Sequence, residues 1–230
     1  MTPPGLVPPE AVTGPNDVPS SSPLFARGGH NACQRARRDD LLAATRGDAV
    51  EATSIQALVR LRDALDLHGA DASLVSALDE LMHTGGSTRQ TWRHGAAPGL
   101  PKVEPLPPRS LFAVALDNAV EGCVRETFGA LVSRHQALHA RDGGVRAFMA
   151  RVAEDETRHA ELFWKVDHWA QARLSAGERD VLRLAKQRAS EALRAEVAEP
   201  VSPVFVSEAG LPPPEVAVAL VDTLARELWA

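Results

Sequence analysis

Residues 95–108 read GAAPGLPKVEPLPP. Proline fixes φ and removes a backbone donor, so this stretch cannot lie inside a helix or an inner strand. It divides the chain into two halves that must meet through side-chain packing. On either side the patterning is helical, with apolar residues recurring every three to four positions. The expected helices are 48–67, closed by Gly69; 72–84, stopped by Gly85-Gly86 with a weaker continuation through Trp92; 109–140, closed by Asp142-Gly143-Gly144; and 144–173. A fifth is expected over 176–198, where Ser175 and Glu178 form a capping box. Pro200 and Pro203 end it, and a last helix covers 213–229. Two helical hairpins joined by one long connection describe an all-α four-helix bundle with a single crossover. The domain reading is a tail over 1–40, a bundle over 41–174 and C-terminal accessory helices over 175–230.

Seven of the chain's 17 prolines fall within residues 1–23, so that stretch is expected to be extended and disordered. With 230 residues, 44% of them apolar, one sizeable core is affordable. No apolar run reaches the length of a transmembrane helix. The first residues, MTPPGLVPPE, lack a basic region followed by an apolar one, so no secretory signal is expected. The net charge of −5 disfavours nucleic acid as a partner. Two cysteines, Cys33 and Cys123, make neither a disulfide framework nor a thiolate zinc site, and the expected compartment is the cytoplasm. The absence of tyrosine excludes any mechanism that needs a tyrosyl radical or a tyrosine acid.

Two of the helices repeat one string. Asp79-Glu80-Leu81-Met82-His83 and Asp155-Glu156-Thr157-Arg158-His159 are both Asp-Glu-x-x-His. Carboxylate and imidazole three residues apart share a helix face and can reach one metal ion. Each string has a glutamate about one hairpin upstream, Glu51 for the first and Glu121 for the second. Glu156 and His159 fall in the apolar stripe formed by Val145, Phe148, Met149, Val152, Phe163 and Val166. A carboxylate there costs several kcal/mol unless it is paired or bound to a metal. Glu126 competes with Glu121, and its spacing to Glu156 is closer to that of the first pair. The two differ by five positions, roughly 140° on an α-helical wheel, so they cannot both face one metal pair. Glu121 lies nearer the apolar stripe and is preferred. Asp79 and Asp155 are candidates to orient the imidazoles from outside the ligand set. Four carboxylates and two imidazoles suit two iron ions, or manganese.

These strings, together with Glu121-Gly-Cys-Val-Arg-Glu-Thr127, resemble the ferritin-like superfamily of carboxylate-bridged di-iron proteins over about residues 40–198. More narrowly the chain is similar to uncharacterised ferritin-like proteins of myxobacteria. The first half departs from the family pattern, because Glu51-Ala-Thr-Ser stands where relatives often have Glu-His-Ala-Ser. The resemblance implies a ferritin-like bundle and a metal site formed by Glu51, Glu80, His83, Glu121, Glu156 and His159. Such a site points to an oxygen-dependent oxidoreductase with a small-molecule substrate. The alternative is a metal-free bundle that serves as an interaction protein, favoured by the small-residue face around Glu80.

Overall fold

The structure, a computed structural model, describes residues 48–90 and 107–229, with side chains described for 57–82 and 107–229. The expected tail over 1–40 and most of the proline-rich connection lie outside the described residues. The described chain is all-helical, with no strand. Helix α1 spans Asp48–Leu67 and α2 spans Ala72–Gln90. A long continuous helix follows in three parts: α3 Leu111–Asp117, a π-helical segment Asn118–Glu126, and α4 Thr127–His139. Then come α5 Gly143–Gln171, α6 Ala176–Val197, α7 Pro203–Ala209 and α8 Pro214–Glu227.

Local chemistry sets the ends. The Ser110 hydroxyl accepts from the Ala113 N–H at 3.2 Å and starts α3. The Asp142 carboxylate accepts from the Gly144 and Val145 N–H groups at 2.8 and 3.0 Å and starts α5. Ser175 and Glu178 form the expected reciprocal box at the start of α6. Helix α2 continues through Gly85-Gly86 to Gln90, in line with the weaker continuation expected there, because two glycines cost only about 1 kcal/mol each in a helix interior. One element differs from expectation. Helix α7 occupies a stretch read as a break, with Pro203 at its first turn, where the missing N–H has no partner to lose.

Helix α1 packs against α2 and α3, α2 also packs against α5, and α5 packs along α3, the π segment and α4. These contacts close a circuit of four helices. Its upper end is filled by Leu58, Leu61 and Leu65 of α1, Leu74 and Leu78 of α2, and Phe163 and Val166 of α5. The opposite face of the long helix is covered by α6 and α8. There Val124, Phe128 and Val132 meet Leu193 and Val197 of α6, Val221 and Leu224 of α8, and Trp229. The C-terminal helices therefore share a core with the long helix. Among the described residues no single helix is long and apolar enough to cross a membrane.

The π segment lies between these two cores. Asn118 and Ala119, Gly122 to Val124, and Phe128 are buried, a recurrence of four to five residues. That spacing is looser than an α turn and matches i→i+5 pairing. At Gly122 a Cβ would lie 2.7 Å from Cγ of Phe163, so only glycine lets α5 approach this closely. The Asn118 side-chain amide donates to the Phe163 carbonyl at 3.0 Å and fastens the two helices at the same level.

Candidate metal centre

Glu126, at the end of the π segment, meets Glu156 and His159 of α5. Each offers a ligand atom, and these atoms lie within 4.8 Å of one another. All three side chains are half-buried. His159 Nδ1 stands 3.4 Å from Glu156 Oε2. Glu156 and His159 are three residues apart on one helix face, as expected from their spacing. Glu126 joins them because of the hairpin. It precedes the end of α4 by thirteen residues, and Glu156 follows the start of α5 by thirteen. Antiparallel helices joined by a tight turn bring such residues to one level.

Glu121, preferred over Glu126 on an α-helical wheel, sits elsewhere. Its carboxylate lies 3.8 Å from the Arg125 guanidinium and is 16% exposed. Arg125 in turn donates to Glu196 of α6 at 3.1 Å. Burial raises the Glu121 carboxyl above its ordinary range, Arg125 partly offsets this, and Asp117 and Glu196 add to the rise. A turn of 100° per residue does not hold across a π segment, so Glu126 comes round to α5 where an α-helix would present Glu121.

The first half-site is arranged differently. Glu80 lies on the exposed side of α2. It follows the start of α2 by eight residues, whereas Glu51 precedes the end of α1 by sixteen. The mismatch of eight residues is about 12 Å along the axis at 1.5 Å per residue. Glu80 is therefore level with Val59 and not with Glu51. His68, just after α1, has its Nε2 2.8 Å from the Arg109 carbonyl, which fixes the end of α1 against the start of α3. Counting back along α1 and forward along the long helix from that contact brings Glu51 near the level of Glu126. The side chains of Glu51 and His83 lie outside the described ones.

The two aspartates that precede the string glutamates pair with arginines. Asp79 accepts from Arg62 of α1 at 3.0 Å, and Asp155 forms an ion pair with Arg158 one turn on. Beside the centre, Trp164 Nε1 donates to the Thr127 hydroxyl at 3.0 Å, next to Glu126 in sequence. Lys186 Nζ lies 4.8 Å from the centroid of the Trp164 ring and 2.7 Å from Asp167 Oδ2. This buried ion pair was not anticipated from the sequence, since its members belong to separate amphipathic patterns.

Two carboxylates and one imidazole at this spacing fit a first-row divalent ion and leave coordination positions open. Cys123 stands apart from this chemistry, as burial pushes its thiol pKa up and keeps it protonated. No family model, curated protein or solved structure matches the chain.

Proposed function

We propose that this chain is a ferritin-like bundle protein that holds iron or manganese at Glu126, Glu156 and His159 for oxygen-dependent oxidation of a small molecule. The observation that carries the reading is the convergence of these three ligand groups between the π segment and α5. The circuit of four helices, with the 91–106 connection running between α2 and α3, which are not paired in that circuit, supports the ferritin-like topology. Glu51, level with Glu126 on α1, is the next candidate ligand. A bound metal would supply redox chemistry and open positions for oxygen. The protein's residues would hold it at a fixed place between the π segment and α5.

The test is metal content per chain for tag-free protein from iron-supplemented cells, beside Glu126→Ala, Glu156→Ala and Glu121→Ala. Stoichiometric iron or manganese in wild type and in Glu121→Ala, lost in the other two, is the expected result. The exposed position of Glu80 favours a second reading, a metal-free bundle acting through its surfaces. Protein that stays metal-free after anaerobic ferrous loading would establish that reading and exclude the first.

A further inference from the structure

Trp164 joins the two helices whose ligand groups have to converge. Its indole Nε1 donates to the Thr127 hydroxyl at 3.0 Å. Thr127 follows Glu126 and is the first residue beyond the π segment, while Trp164 stands on α5 with Glu156 and His159. A helical side chain leans toward the N-terminus of its own helix, so the indole is directed back toward the turns that carry Glu156 and His159. The other end of the π segment is tied to α5 as well, through the Asn118 amide and the Phe163 carbonyl. The indole is itself held from a third helix. Lys186 of α6 places its ammonium 4.8 Å from the ring centroid, within the range of a cation–π contact. Asp167, 2.7 Å from that ammonium, fixes it in turn, and both members of the pair are buried. A cation over the ring polarises the indole and strengthens its N–H as a donor.

We infer that Trp164 is a positioning residue for the Glu126 centre: its N–H holds the Thr127 hydroxyl, and with it the end of the π segment, where Glu126 meets Glu156 and His159. This role presupposes that those three residues hold a metal ion, as proposed above. A π segment carries a local excess of chain, and an excess can shift along a helix unless both of its ends are fixed. Asn118 fixes the first end and Thr127 the last. A shift by one position would turn Glu126 through roughly 100° and carry its carboxylate away from α5. Metal ligands tolerate displacements of only about 0.2 Å, so a small movement of Thr127 is felt at the centre. Lys186 gives α6 a share in the same task. By holding the indole in place, it couples the docking of α6 to the geometry of a site that α6 does not touch through a ligand of its own.

The experiment uses tag-free full-length protein stripped with chelator, with Mn2+ alone as probe. Free Mn2+ is read from its electron paramagnetic resonance signal. The proteins are wild type, Trp164→Phe, Thr127→Val, Thr127→Ser and the double variant Trp164→Phe with Thr127→Val. Leu174→Ala, which loosens the upper core away from this bond, serves as a control for stability. Trp164→Phe and Thr127→Val are each expected to weaken Mn2+ binding by about tenfold to a hundredfold. The double variant should bind no more weakly than either single one, since the same hydrogen bond is lost in all three. Thr127→Ser keeps the hydroxyl and should bind as wild type does. Leu174→Ala should lose thermal stability and keep its affinity. Thr127→Val preserves shape and branching, and decides the matter alone should Trp164→Phe fail to fold. Wild-type affinity in Thr127→Val, or additive losses in the double variant, would overturn the role of Trp164 and leave the metal centre standing. A wild type that binds no Mn2+ would overturn the metal centre and this role with it.

Discussion

The Trp229 indole N–H donates to the backbone carbonyl of Cys123 at 2.9 Å, across more than a hundred residues of chain. The acceptor lies in the middle of the π segment, and Trp229 is only 1% exposed. Trp229→Ala is expected to cost about 3–5 kcal/mol, by loss of the ring and the cavity left behind. Trp229→Phe retains an aromatic ring but leaves the carbonyl without its donor, and about 1–3 kcal/mol is expected. Urea unfolding followed by circular dichroism measures both, and a Trp229→Phe loss near zero would show that the hydrogen bond contributes nothing beyond packing.

The buried pair Lys186–Asp167 ties α6 to α5. Asp167 Oδ2 also accepts from Gln171 at 2.5 Å, and Asp167 Oδ1 has no partner among the described residues. Lys186→Met leaves a carboxylate stranded in the core and should destabilise by about 3–5 kcal/mol. The double replacement Lys186→Met with Asp167→Leu removes both charges and should recover most of that loss. A double variant no more stable than the single one would contradict this account.

At Gly122 a methyl group would come within 2.7 Å of Phe163 Cγ and 2.9 Å of the Asn118 side-chain oxygen. Gly122→Ala is therefore expected to destabilise by about 1–3 kcal/mol through overpacking, against the usual gain from replacing a helical glycine. Combining it with Phe163→Leu should return part of the stability. A thermal midpoint for Gly122→Ala at or above wild type would show that α5 moves aside without cost.

Glu121 gives a pH dependence with a definite sign. Its folded pKa is raised, chiefly by burial. Its favourable contribution is complete below the unfolded value of about 4.3 and is lost as pH rises through the folded value. Glu121→Gln should thus raise the unfolding midpoint at pH 7, and the advantage should shrink as pH falls through the raised folded value and be gone below about 4.3. Arg125 keeps Glu196 as a partner in the variant. A midpoint difference that does not change between pH 4 and 7 would refute this.

Much of the helical layout was legible because it is written in local signals. Ser175 with Glu178, Asp142 before two glycines, and the apolar stripe of α5 each act over a few residues. Glu156 and His159 were readable for the same reason. The choice between Glu121 and Glu126 was harder, because a π segment is imposed by packing on two sides and leaves little trace in a wheel drawn at constant pitch. Another count would have favoured Glu126, since it and Glu156 are equally distant from the turn at 140–142. The same count separates Glu80 from Glu51. The buried partnership of Lys186 with Asp167 depends on how α6 docks, which no single helix encodes.

The π segment also makes the length of the chain between Asn118 and Glu126 as important as its composition. A further residue inserted there and wound at the ordinary α pitch would not be absorbed by the wide turns. Everything downstream, from Thr127 to His139, would then be turned by roughly 100° relative to α3. Phe128 and Val132 would leave their seam with α6 and α8, Glu126 would swing off Glu156, and the His135 ring would lose the Gly210 carbonyl. Substitutions in this stretch disturb one contact at a time, whereas a change of count shifts both faces of the long helix at once.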